Sequence, residues 1–209
     1  MGKSIELKVA VQIQEETGYN IRALPRGTGL AEGGRILIFS HYDSMWLGPH
    51  AMDNATGTAA VMQLIDDFAD CNLNLEFIFF GAEELGFWGS RDYILRHRQE
   101  LGDFKAVVCL DGIASDRGEV EIGVSQVLKP LVKEVVQATG ITVRKWSVPP
   151  RPNSDHLPFE EIGIPVFWLT TMDNYYHTAG DLPDVISAST LEKRVRLARD
   201  IIKRLAIWE

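Results

Sequence analysis

Four short apolar runs constrain this chain more than anything else in it: Ile36 to Phe39, Leu75 to Phe80, Ala106 to Leu110 and Ile164 to Leu169. Each is rich in branched or aromatic residues and bounded by turn formers, the pattern of a strand buried on both faces. Helical patterns fill the gaps. Asn54 is positioned to cap a helix carrying Ala59, Ala60, Met62, Leu64, Ile65 and Phe68 inward, and Ser90 to cap another through Tyr93, Ile94 and Leu95. Val127 to Thr139 ends at Gly140 as at a helix C-terminus, and Leu191 to Trp208 repeats apolar residues at Val195, Leu197, Ile201, Ile202 and Leu205. Strands alternating with helices predict an α/β sandwich. Ahead of them, Ile5, Leu7, Val9, Val11 and Ile13 alternate with polar residues, followed by Asn20 to Leu24, which predicts two antiparallel strands along one sheet edge.

A chain of 209 residues is long enough to bury about 70% of the surface its unfolded form exposes. No linker or repeat interrupts it, so residues 1–209 are expected to form a single domain. The net charge of -8 argues against nucleic-acid or anionic-membrane partners, since there is no basic excess to displace counterions. Bound divalent cations would offset part of that charge. Lys193, Arg194, Arg196, Arg199 and Lys203 on the last helix read as a solvated face. Cys71 and Cys109 are too few for a disulfide framework, lack zinc-thiolate spacing, and read as buried thiols. No apolar run approaches the roughly 18 residues of a membrane span, and the charged N-terminal stretch is unlike a signal peptide. A soluble protein is expected, cytoplasmic as the chain stands and secreted had a leader been removed.

The chemistry lies just past the end of each apolar run. After Phe39 come His41 and Asp43; after Phe80, Glu83 and Glu84; after Leu110, Asp111; and shortly after Leu169, Tyr176 and His177. In open α/β sheets, ligands bind outside the carboxyl ends of the strands, so these side chains are placed to converge, with Asp53 joining them from the start of the first helix. One acid at a strand end is ordinarily a helix cap or a loop solvator, and one histidine an ordinary polar residue. Several together are different, because gathered carboxylates repel unless something positive sits among them. Imidazole nitrogen and carboxylate oxygen suit zinc, and one bridging carboxylate, here Asp53, can hold two ions roughly 3.5 to 4 Å apart. His50 and His97 are not expected to be ligands.

These residues carry a resemblance. The succession His41-Tyr-Asp43, Asp53-Asn-Ala-Thr-Gly57, Glu83-Glu84-x-Gly-x-x-Gly-Ser90, Asp111-Gly, Ser154-Asp155-His156-x-Pro-Phe159 with Gly163-Ile-Pro165, and Tyr176-His177-Thr178-x-x-Asp181 resembles the co-catalytic two-zinc aminopeptidase family. Glutaminyl cyclases, glutamate carboxypeptidases and the transferrin-receptor ectodomain are relatives of that family. The likeness runs from about Asn20 to the C-terminus. It implies a three-layer sandwich of the zinc-exopeptidase type, phosphorylase/hydrolase-like, with a mixed, mostly parallel sheet between helices. It also implies one zinc on His41, Asp53 and Asp111 and a second on Asp53, Glu84 and His177, with cobalt or manganese as substitutes. By the same resemblance Glu83 is the general base, Asp43 orients His41, Asp181 supports the site, Tyr176 donates to the developing oxyanion, and the Asp53-Asn54 peptide is cis. Asp155 and His156 are candidates for a substrate loop, or else a capped helix start with Pro158 in its first turn.

The implied reaction is hydrolysis of a peptide or small amide from its N-terminus. Other catalytic signatures are missing: there is no His-Glu-x-x-His, no Gly-x-Ser-x-Gly, and Gly2-Lys3-Ser4 lacks a phosphate-binding glycine loop. Three rivals share the resemblance: a glutaminyl cyclase-like acyltransferase with one zinc, a carboxypeptidase acting on acidic C-terminal residues, and a non-catalytic receptor domain. Both His ligands and the Asp53-Asn-Ala-Thr-Gly57 stretch favour the two-metal hydrolase. One departure is that the chain starts close to its first strands, without the extra N-terminal helices or inserted domain of many relatives. Side-chain preference depends on the loops Met45 to Met52, Ser147 to Asn153 and Thr171 to Tyr175.

Overall fold

A computed structural model describes residues 4–12, 14–25 and 34–208. Strands β1 (Ile21–Ala23), β2 (Arg35–His41), β3 (Leu75–Phe80), β4 (Phe104–Leu110), β5 (Glu119–Val124), β6 (Lys145–Ser147) and β7 (Val166–Met172) form one sheet in the order β1-β3-β2-β4-β7-β5-β6. The four strands expected from the apolar runs are its centre, β3-β2-β4-β7, and all run parallel. β1 joins antiparallel at one side and β5 antiparallel at the other, with β6 parallel to β5. The sheet is therefore mixed and mostly parallel. Chain order reverses at β2, which has β3 on one side and β4 on the other; such a switch point opens a crevice at the carboxyl ends. His41 pairs with Phe80, and Leu110 with Leu169, so the ends finish nearly level.

Helices cover both faces. Alternate residues of the central strands pack against α1 (Gly57–Asp67), α3 (Lys129–Thr139) and α5 (Ala188–Ala206), with Leu64, Val132 and Ile201 fully buried. The opposite residues face α2 (Trp88–Arg96) and α4 (Leu157–Glu161), where Phe39 lies 5.1 Å from Phe80 and 5.4 Å from Phe159, ring to ring. Each such aromatic or aliphatic side chain taken from water contributes about 1.5–3 kcal/mol. The result is the three-layer sandwich.

Several local expectations change. Ile5, Leu7, Val9 and Val11 lie in no regular element and are largely exposed, because nothing among the described residues pairs with them; Ile13 is outside the described residues. Of the expected N-terminal strands, only Ile21–Ala23 forms among the described residues. Ser90 does not cap α2, which begins at Trp88; its hydroxyl instead donates to the Phe87 carbonyl and to Asp155. Cys109 is buried but Cys71 only partly so, and His97 is half-buried at the end of α2, stacked on Tyr93. β5 and β6 carry no sequence signal of their own. In β5 the fully buried Glu121 is matched by Arg151 at 2.8 Å, just as Glu76 in β3 is matched by Arg22 at 2.7 Å and Arg35 at 2.8 Å. A buried carboxylate needs such a partner, since desolvation alone would cost several kcal/mol. No helix among the described residues is long and apolar enough to cross a membrane.

Candidate metal centre

The crevice receives its side chains from the ends of four strands and from one turn. β2 ends on His41, which is 2% exposed; Asp111 follows β4; Glu83 and Glu84 follow β3; and His177 comes five residues beyond β7. Asp53 sits in the tight turn Ala51–Thr56 ahead of α1, and its peptide to Asn54 is cis. Two side chains fix that turn. Asp181 accepts from the Met52 amide at 2.7 Å and the Asp53 amide at 3.0 Å. Asn54 donates to the Leu110 carbonyl and accepts from the Gly57 and Gly112 amides at 3.0 Å each, tying the turn to the end of β4 beside Asp111. Gly57 permits this closeness, since a Cβ there would stand 2.2 Å from the Asn54 oxygen and 2.3 Å from the Leu110 carbonyl.

His41 Nε2 is 3.1 Å from one Asp53 oxygen and 3.2 Å from Asp111; His177 Nε2 is 3.0 Å from the other Asp53 oxygen and 3.2 Å from Glu84. Two trios result, His41-Asp53-Asp111 and Asp53-Glu84-His177, each offering one donor atom per residue within 4.8 Å of the rest. Asp53 belongs to both. His41, Glu83 and Glu84 meet the same limit. The Asp53 oxygen facing His177, Glu84 Oε1 and His177 Nε2 are buried with no hydrogen-bond partner, although the imidazole is within 3.2 Å of two carboxylates. Buried polar atoms are rarely left so. Crowded lone pairs aimed at one another fit a cation lying between them, and the donor set passes that test.

The electrostatics agree. On the protein's own charges, burial and then Asp111 push the Glu83 carboxyl up to about 10, burial and Asp53 push Glu84 up to about 7, and burial raises Asp53. Although burial opposes a charged ring, Asp111 raises His41 well above the usual histidine range. Such a group of acids gains from any positive charge placed among them. Behind it, His41 Nδ1 lies 3.1 Å from the Asp43 carbonyl oxygen, an acceptor that keeps the proton on Nδ1 and leaves Nε2 free to ligate. The Asp43 carboxylate is farther off, at 3.7 Å, and accepts from the Glu83 and Glu84 amides at 3.1 and 3.2 Å. It therefore braces the two glutamates as well as backing the imidazole. Tyr176 lies at the mouth, its ring stacked 3.7 Å from that of His177.

Backbone strain collects here. Among the described residues, the four non-glycine positions with positive φ are His50, Ala82, Phe87 and His177, each at or beside a donor segment. Left-handed conformations cost a residue with a Cβ about 1–2 kcal/mol, and such positions gather at functional sites. His50 is 2% exposed and lines a recess with Asp43 and Asn54, outside both trios.

Asp155 and His156 lie beneath the cluster. The Asp155 carboxyl accepts from Ser90 at 2.5 Å; burial pushes it up to about 7. His156 begins α4, with Pro158 in the first turn; its ring stacks 4.9 Å from Trp168, and its Nε2 lies 2.8 Å from the Arg151 carbonyl. Burial lowers its pKa from 6.5 to about 4, a difference worth about 3 kcal/mol. The folded ring gives up its proton more readily than the unfolded one. Stability from this group is therefore complete above the ordinary value of 6.5 and is lost as pH falls towards 4. Urea midpoints taken between about pH 7 and about pH 4 should fall for the parent and stay flatter for His156→Leu. Equal slopes would mean the ring titrates elsewhere.

A model of peptidase family M28 matches residues 21–202. The chain is 25% identical to aminopeptidase YwaD of Bacillus subtilis (strain 168), over 93% of this chain and 45% of that protein. Its fold is similar to BSAP, a zinc aminopeptidase from Bacillus subtilis, with a TM-score of 0.80 and 24% identity over 91% of this chain and 50% of the other. It is also similar to an Acidobacteriales bacterium glutaminyl cyclase, with a TM-score of 0.73 and 21% identity over 90% and 72%. The chain thus spans about half the length of the two aminopeptidases.

Proposed function

The chain belongs to peptidase family M28, and from that premise we propose that it is the catalytic part of a zinc-dependent aminopeptidase, removing N-terminal residues from peptides or small amides. One observation carries the reading: the two oxygens of Asp53 face different imidazoles, His41 at 3.1 Å and His177 at 3.0 Å, so one carboxylate serves two donor trios. We assign two zinc ions to them, one held by His41, Asp53 and Asp111, the other by Asp53, Glu84 and His177. Imidazole and carboxylate donors suit zinc, and cobalt or manganese can substitute. The Bacillus subtilis protein of similar fold is a zinc aminopeptidase, which supports the ion. When bound, the pair would supply an acidified water and a Lewis-acid hold on the scissile carbonyl.

The remaining work falls to this chain's side chains. Glu83 takes a proton from the attacking water and returns it to the leaving amine, a role open to a carboxylate beside the cluster. The Tyr176 hydroxyl donates to the carbonyl oxygen as negative charge grows on it. Asp43 holds the His41 ring and the two glutamate amides in place, while Asp181 holds the turn that carries Asp53.

The test is hydrolysis of alanyl p-nitroanilide against its N-acetylated counterpart, with zinc supplied, removed by chelation and restored. Turnover is expected only for the free amine, lost on chelation and recovered with zinc. If no divalent ion is taken up and nothing is hydrolysed, the enzyme reading fails and a non-catalytic domain remains. Cyclisation of a glutaminyl peptide without hydrolysis would point to the cyclase.

A further inference from the structure

Beside the donor cluster, and sharing Asp111 and Tyr176 with it, is a recess of about 30 Å3. A water molecule needs about 10–15 Å3 of such space, so the recess takes two or three atoms of that size. Trp168 and Met52 line it, and at 1% and 2% exposed both are held in place by packing. Gly112, Thr170, Met172 and Tyr176 are among the other residues that line it. Resting on the aminopeptidase reading above, we propose that this recess receives the N-terminal side chain of the substrate and admits only the smallest: glycine, alanine and serine.

The tightness is built from a distance. Buried Glu121 in β5 fixes Arg151 through both of its oxygens, at 2.8 and 2.5 Å. The Arg151 guanidinium then lies 3.7 Å from the Met172 sulfur and 5.9 Å from the Trp168 ring centre. On another contact, the His156 ring stacks on Trp168. Trp168 therefore leans on the Arg151 partner of buried Glu121 and on the buried His156 imidazole, and Met172 on the same Arg151. Met172, 42% exposed, is the less firmly held of the two. Thr170 also lines the recess, and its hydroxyl would stand 3.6 Å from a Cβ placed on Gly112, another lining residue. A hydroxyl in the lining favours serine over a larger apolar residue.

Two measurements test this. The first is kcat/KM on glycyl, alanyl, seryl, leucyl and phenylalanyl p-nitroanilides. Alanine is expected to exceed leucine by about 10–200-fold, the discrimination a pocket shows against each methylene it cannot hold. Met172→Ala is expected to raise the leucine-to-alanine ratio about tenfold or more. Thr170→Val should lower serine relative to alanine. The second is thermal stabilisation of the zinc-loaded protein by alaninamide and by leucinamide, which needs no turnover. Leucine or phenylalanine handled as well as alanine overturns the proposal and leaves the aminopeptidase reading intact. No turnover of any substrate, with alaninamide still preferred over leucinamide, overturns that reading and keeps the size limit. No turnover and no preference sinks both.

Discussion

Replacing Glu83 by glutamine is expected to leave the fold and cation uptake unchanged and to slow peptide hydrolysis by about 10²–10⁴-fold or more. The side chain is 8% exposed and sits beside the donor trios, within 4.8 Å of His41 and Glu84 donor atoms. Glutamine keeps its volume and its burial, so packing on that side of the crevice is preserved. The variant lacks only a group able to accept and release a proton. On the protein's own charges burial and Asp111 push Glu83 up to about 10, too basic to be ionised at neutral pH; cations beside it would bring it down towards the range of a working base. The loss should fall on kcat, with KM little changed, and metal content by atomic absorption should match the parent. A variant that hydrolyses alanyl p-nitroanilide at the parent rate removes Glu83 from the proposed role.

The second large effect is a reversal of stability at Asp53. Its carboxylate is 1% exposed, and burial raises its pKa, with Asp111 adding to the rise. A carboxyl whose folded pKa exceeds its unfolded value stabilises the fold at low pH and loses that contribution as pH rises through the folded value. In chelator, at neutral pH, Asp53→Asn should therefore be more stable than the parent. With zinc the order should invert. A cation at a hundredfold its Kd stabilises the parent by about 2.7 kcal/mol, whereas Asp53→Asn takes a charged donor from both trios at once and forfeits that gain. Urea unfolding of parent and Asp53→Asn, each with chelator and with zinc, checks this as a crossing pair. Parallel shifts in both proteins would show that Asp53 is not shared between two ions.

The donors were legible because two signals coincide in each segment. A run such as Leu75 to Phe80 has one plausible burial, in a central strand, and the acids after it fall at its carboxyl end. The turn residues were less so. Asn54 looks like a helix cap, but its side chain also bonds the Leu110 carbonyl and the Gly112 amide, more than fifty residues away. Asp181 clamps the Met52 and Asp53 amides across a separation of 128 residues or more, and no local pattern encodes such a pairing. β5 is hidden for a related reason. Its glutamates suggest a solvated segment, and only the folded chain brings Arg151 to Glu121. The opposite error occurs at Ile5 to Val11, where a regular alternation has no neighbouring strand to pair with among the described residues.

The way the two trios draw on the sequence has a consequence for dissection of the chain. The connection between α1 and β3, around Ala69 to Asn74, includes exposed positions. A cut there leaves His41 and Asp53 on one fragment and Glu84, Asp111 and His177 on the other, so neither fragment retains a complete trio. On the proposed assignment, zinc affinity would be a property of reassembled halves, with the ion a rivet across the two parts of the polypeptide.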